Sequence, residues 1–190
     1  MLLFQSKNQR YLQMLERAKM MDAPDFAKLR KIFAMTELYD PYDLQIADWR
    51  EKARTAWGKS EFAEVVRYGK QILEKNFIDL EAHFLLWQAM KQLGKNEQAD
   101  YHLQIFSGLC DSIRKSGDGK TPQTAFQLLS ADEETIFLRS MNLKFKEAKR
   151  MQIDNSRFDV VLAEEQKSQT AQKLYFNIDI PYQWMQKRFS

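Results

Sequence analysis

A chain of 190 residues that is 44% apolar and 13% aromatic can build a packed core in one domain or two small ones. Its 29 basic and 26 acidic residues leave +3, and residues 117–190 hold 11 and 10 of them, so neither part has the basic excess that nucleic acid or an anionic membrane would require. The single cysteine, Cys110, excludes an internal disulfide, no run of 18 apolar residues is present, and "MLLFQSKNQR" opens with too few apolar residues for a signal-peptide core. A soluble, cytoplasmic protein is expected.

The first elements in the chain repeat. "DFAKL" (25–29), "EFAEV" (61–65) and "EQADY" (97–101) start 36 residues apart, with Ala27, Ala63 and Ala99 in register. The same shift lays Asp43 and Leu44 on Asp79 and Leu80, and Gly58 on Gly94. Within each unit the apolar spacing is helical, as in Phe62, Val65, Val66, Gly69, Ile72 and Leu73. Asp43 and Asp79 stand at N-cap positions, Pro41 breaks the chain before the first of them, and Gly58 and Gly94 end the helices that follow. This predicts helices over 7–21, 25–39, 43–57, 60–75, 79–93 and 96–115, or three antiparallel pairs.

These residues, with "LGKNEQADYHLQIF", resemble the tetratricopeptide-repeat family over about 110 residues. The resemblance implies a concave surface that binds an extended peptide or another protein. It would be lined by Gln45, Asp48, Lys52 and Thr55 from one helix and Glu81, Phe84, Gln88 and Lys91 from the next, continued by Gln9, Leu12, Glu16 and Lys19. Asp48 and Phe84 occupy a position where some members clamp a C-terminal carboxylate, so chaperone tails are disfavoured as partners.

"SGDGKTPQTAF" (116–126) gathers glycines, an aspartate and a lysine. A phosphate-binding loop needs G-x-x-x-x-G-K-[ST] between a strand and a helix, whereas here a helix precedes and Pro122 follows. Nor does Asp118 have the alternating acids and twelfth-position glutamate of a calcium loop. The segment reads as the joint between domains at 1–116 and 117–190. Beyond it, "TAFQLLS" reads as a strand, Ser130 and Glu133 as a capping box opening a helix at "ADEETIFLRSMN", and "RFDVVLA" and "KLYFNIDI" as strands. In the last, Leu174, Phe176, Ile178 and Ile180 alternate with Tyr175, Asn177 and Asp179; Pro181 ends it and "YQWMQKRF" closes the chain as a short helix. The fold expected is mostly α, a tetratricopeptide-like stack of about three helix pairs, followed by a small α+β subdomain with an antiparallel sheet packed on or beside the last repeat.

"GDGKTPQTAF", "DEE", "MNLK", "FDV" and "LYFNIDIPYQW" also resemble the bacterial domain-of-unknown-function family numbered 4919, which pairs a helical front with such a tail. That resemblance implies no catalytic role for any residue.

No nucleophile, base and orienting group come together in the sequence. His83 and His102 lie among apolar residues on different helices and read as hydrogen-bonded packing histidines, and Cys110 as a small core hydrophobe. "DEE" (132–134) and "EE" (164–165) read as a helix first turn and a hairpin flank, and Lys144, Lys146, Lys149 and Arg150 as a solvated face interrupted by Glu147. The expected function is non-enzymatic binding of a protein or peptide, with no cofactor, metal, nucleic acid or membrane. The alternative is a ligand-binding or enzymatic module in the tail using Asp118, Lys120, Tyr175, Asn177 and Asp179.

Overall fold

The computed structural model describes residues 6–189; residues 1–5, on which the reading of the N-terminus rests, lie outside that range. The chain forms two compact units that divide between Leu109 and Cys110. The first is helical: α1 (Lys7–Lys19), α2 (Phe26–Phe33), α3 (Leu44–Gly58), α4 (Phe62–Lys75), α5 (Leu80–Gln92) and α6 (Asn96–Arg114), through which the boundary passes.

Local chemistry sets the starts of these helices. Ser6 and Gln9 form a reciprocal capping box on α1, Asp25 accepts from the N–H of Lys28, Asp43 from those of Gln45 and Ile46, and Asp79 from that of Ala82. Helix α2 stops at Phe33, short of the expected residue 39. Thr36 donates its hydroxyl to the Phe33 carbonyl, and Tyr39 folds back so that its ring meets Phe33 edge-on at 5.6 Å. The left-handed residue after α5 is Gly94, as expected, but after α3 it is Ser60 and not Gly58, which stays helical.

Helices α3, α4 and α5 interlock through Ala53, Ala56, Val65, Leu85 and Ala89, and through Ile46, Ile72 and Ala82. Gly69 permits the close approach of α4 to α5: a Cβ there would lie 2.7 Å from Leu86 Cγ. The aligned alanines each begin the second helix of a pair, yet only Ala99 is buried, while Ala27 and Ala63 face solvent.

The second unit is α+β. After a 3-10 turn at Pro122–Thr124 come β1 (Phe126–Gln127), α7 (Asp132–Ser140), β2 (Leu143–Ile153), β3 (Ser156–Glu165), β4 (Ala171–Asn177) and α8 (Asp179–Phe189). The sheet runs β1-β4-β3-β2 and is mixed, not antiparallel as expected, because the short β1 pairs parallel with β4, Phe126 opposite Phe176. One face carries Asp159, Val161, Ala163, Leu174 and Phe176, and α7 covers it: Phe137 meets Phe126 at 4.9 Å and Phe176 at 6.3 Å.

Two expectations change here, and the solvated basic face gains a strand. The basic stretch from Lys144 to Arg150 belongs to β2, an eleven-residue edge strand joined to β3 by a two-residue turn with Asp154 at φ 53°. Helix α8 begins at Asp179 and holds Pro181 in its first turn, where a missing N–H costs nothing, so Asp179 and Ile180 are not strand residues. Ser130 does not cap α7; the Glu133 carboxylate instead accepts the Leu129 N–H at 2.7 Å.

The joint itself is tightly packed. A Cβ on Gly117 would collide with the Thr124 carbonyl oxygen, and Gly119, at φ +70°, lies against the Phe126 ring. Gly117→Ala is expected to destabilise the fold by about 2 kcal/mol or more. By contrast Gly58→Ala, in open space within a helix, should stabilise it by about 0.5–1 kcal/mol. Urea denaturation of the two variants checks the contrast, and a tolerated Gly117→Ala would refute the packing described.

Candidate functional site

A cleft of about 810 Å³ in the helical unit opens between the α1–α2 pair and the ends of α3, α4 and α6. Its floor is apolar, with Leu15, Phe33, Ile46, Leu73 and Phe77, and two of its lining residues, Leu12 and Leu38, are 49% and 52% exposed. Lys75 closes one side, bonded to Asp43 at 2.6 Å and to the Gln45 side-chain oxygen at 3.0 Å. On another side Tyr101 donates its hydroxyl to the Lys19 carbonyl.

Behind the cleft the two histidines meet. His83 and His102 approach through their Nδ1 atoms at 3.0 Å, and His83 Nε2 lies 2.7 Å from the Phe77 carbonyl oxygen. That oxygen only accepts, so His83 carries its proton on Nε2 and leaves Nδ1 as an acceptor. His102 must then donate from Nδ1, which leaves its Nε2 with a lone pair on a residue that lines the cleft. Burial, followed by the neighbouring His102 and against the pull of the Phe77 carbonyl, pushes His83 down to about 3. Burial and then Lys70 push His102 down to about 4. Both rings are neutral near pH 7. The sequence had them as separate packing residues. A legible signal for their contact is their placement on either side of the Gly94 turn that joins two antiparallel helices.

The residues expected to line a concave groove differ in exposure and in partners. Asp48, Lys52 and Thr55 border a shallow cavity of about 230 Å³ with Glu61, which precedes α4, and with Glu64 and Tyr68 of α4, and Lys52 pairs with Asp48 at 2.6 Å. Glu81 is buried, contrary to its expected place at a binding surface, because it accepts from Arg54 Nη2 and Nε at 2.6 and 2.8 Å and lies 3.4 Å from Arg50 Nε. Arg50 also pairs with Asp79 at 2.7 Å, so the charged stripe of α3 on this side is spent holding α5. Phe84 and Gln88 are half-buried, the former with its ring against Trp87 and Phe106, while Lys91 is exposed. Gln9 serves the α1 cap, and Glu16 and Lys19 pair with each other at 3.0 Å.

In the second unit the loop and the last strand do come together, since the Tyr175 N–H donates to the Gly119 carbonyl at 2.8 Å. Their polar groups, however, satisfy the backbone. The Asp118 carboxylate accepts from the Thr124 hydroxyl at 2.6 Å and from the Lys120 N–H at 3.0 Å, and these bonds hold it below its usual range. Asn177 and Asp179 exchange bonds of 3.0 Å, and Asp179 also accepts the Arg157 N–H, which fixes the corner into α8. Lys120 is exposed.

A family model, Domain of unknown function (DUF4919), matches residues 4–187. The chain belongs to this family. No curated protein and no solved structure shows a significant match to it. In this DUF4919 chain the end motifs "GDGKTPQTAF" and "LYFNIDIPYQW" are the loop and the strand-to-helix corner just described, and Asp118, Thr124, Asn177 and Asp179 within them hold the turn and the helix start.

The acids of 132–134 stand in the first turn of α7 as expected, but Glu133 and Glu134 are buried there. Glu134, 6% exposed, sits on α7 above the sheet face that carries Asp159, within hydrogen-bonding reach of it, and Arg150 binds Asp159 through two bonds of 2.8 Å. Burial, then Asp159, pushes Glu134 up from 4.5 to about 8. The folded state therefore holds this proton more tightly than the unfolded chain. The stability it contributes is complete below pH 4.5 and is lost as the pH rises to about 8, with a slope of up to about 1.4 kcal/mol per pH unit. Glu134→Gln should remove that slope. Urea unfolding across this range checks it, and parallel curves for wild type and variant would contradict it.

Proposed function

We propose that this protein is a recognition module rather than an enzyme, and that its helical unit binds an extended peptide or a segment of a partner protein in the 810 Å³ cleft. The observation that carries the reading is the exposure of Leu12 and Leu38 on a cleft whose floor is already apolar. Large aliphatic side chains left in water beside a hydrophobic floor and among charges are characteristic of a surface that a macromolecule covers. A small ligand would be enclosed by the floor and would leave both leucines wet.

The charges among the lining residues are balanced, Lys19, Lys70 and Lys75 against Asp40, Asp43 and Glu74, which favours a mixed peptide over a nucleic acid. A ligand-binding or enzymatic site in the tail is disfavoured because Asp118, Asn177 and Asp179 already bond to their own loop and helix corner. A reducing, cytoplasmic setting suits the single thiol, Cys110, whose burial pushes its pKa up to about 11.

The test is selection from a displayed peptide library against the full chain. Enriched peptides should bind Leu12→Glu/Leu38→Glu at least about fivefold more weakly than wild type, with an unchanged helical circular-dichroism signal, because truncating or charging a central apolar anchor typically costs more than about 1 kcal/mol. Equal binding to the double variant, or no enrichment, would refute the proposal.

A further inference from the structure

Three polar groups on the cleft are left without a hydrogen-bond partner among the described residues. Tyr11 is 2% exposed, its ring packs on Phe33 at 5.2 Å, and nothing accepts from its hydroxyl. Burial pushes that hydroxyl up to about 12, so it stays a donor at any physiological pH. His102, 8% exposed, presents the Nε2 lone pair that its contact with His83 fixes. Lys70 lies close enough to His102 to influence its protonation and makes no ion pair. The Tyr11 hydroxyl and His102 Nε2 are not fully enclosed, so each is open to the cleft, as is the exposed Lys70. A donor, an acceptor and a cation without such partners, all on one cleft, describe what an occupant supplies.

The anions on the cleft limit where that occupant's charge can lie. Asp43 is neutralised by Lys75, and Asp40 accepts the Tyr42 N–H at 3.0 Å. Glu74 stands one turn beyond Lys70 on α4 and is exposed, so it repels a second negative charge at that end.

We infer that the segment bound in the cleft carries a carboxylate beside an apolar side chain, the carboxylate on Lys70 and the Tyr11 hydroxyl, and a backbone N–H of the segment donating to His102 Nε2. This rests on the reading of the cleft as a peptide site and names the chemistry it selects. The apolar side chain fills the floor at Phe33, Leu73 and Phe77. The His102 acceptor requires a donor, which a peptide backbone supplies and the chain of a fatty acid does not.

Fluorescence anisotropy on the full chain separates the possibilities with two labelled peptide pools of equal length and equal Leu, Ile and Phe content. One pool carries Asp and Glu at the remaining positions and the other Asn and Gln. The acidic pool should bind about tenfold more tightly, as a charge-assisted contact does over a neutral one, and Lys70→Met should erase the difference between the pools. Equal affinity of the two pools, or a preference that survives Lys70→Met, overturns the acidic assignment and leaves the peptide cleft standing. No binding of either pool, or binding unaffected by Leu12→Glu/Leu38→Glu, overturns the cleft as well. Dodecanoate binding to the cleft in the absence of any peptide binding would assign it to a small amphiphile and refute both.

Discussion

Two neutral imidazoles with their Nδ1 atoms 3.0 Å apart impose a proton order on the centre of the helical unit. The Phe77 carbonyl just ahead of α5 fixes the proton of His83, His83 fixes the proton of His102, and His102 turns its remaining lone pair to the cleft. Protonating His83 at Nδ1 would set two donors against each other where one bond is made, whereas His102 would take its proton on Nε2 and is kept neutral by burial and then by Lys70. With an unsatisfied buried polar group costing about 1–3 kcal/mol, that arrangement resists acid until well below the ordinary histidine range. One contact thereby ties the α4–α5 turn to α5 and α6 and gives the cleft an acceptor that a change of cellular pH does not remove.

The charged side chains of α3 divide between scaffold and surface. Arg50 and Arg54 are committed inward to Asp79 and Glu81, and Asp79 also caps α5, so a single carboxylate both starts a helix and holds its neighbour. Removing one partner from such a buried set leaves an uncompensated charge. On the cleft, the Tyr11 hydroxyl, His102 Nε2 and Lys70 hold no other group among the described residues.

How much was legible follows the range of the forces involved. Helix starts at Asp43 and Asp79 depend on bonds to residues two or three positions on and can be read directly. The α-rich front and α+β tail follow from the change of apolar period near residue 117. Strand β2 was hidden because residues 144–152 are exposed on both faces, so no alternation marks it; pairing with β3 makes it a strand. Asp179 alternates with strand residues but is drawn into α8 by its bond to the Arg157 N–H, 22 positions away. Glu134 looks like any first-turn acid and is buried only because β3 brings Asp159 beneath it, and Glu81 looked accessible until α3 supplied its arginines. The cleft has no sequence signature, since Tyr11 and Lys70 acquire meaning only when α1, α4 and α6 converge.

The most direct test of this account is the protonation state of the histidine pair, read by long-range nitrogen-detected NMR correlations of the imidazole rings in the full chain. The account predicts the Nε2–H tautomer for His83 and the Nδ1–H tautomer for His102, both unchanged from neutral pH down past the ordinary histidine value of 6.5. A titration of either ring near 6.5, or the opposite tautomer on His102, would contradict it and remove the acceptor on which the reading of the cleft depends.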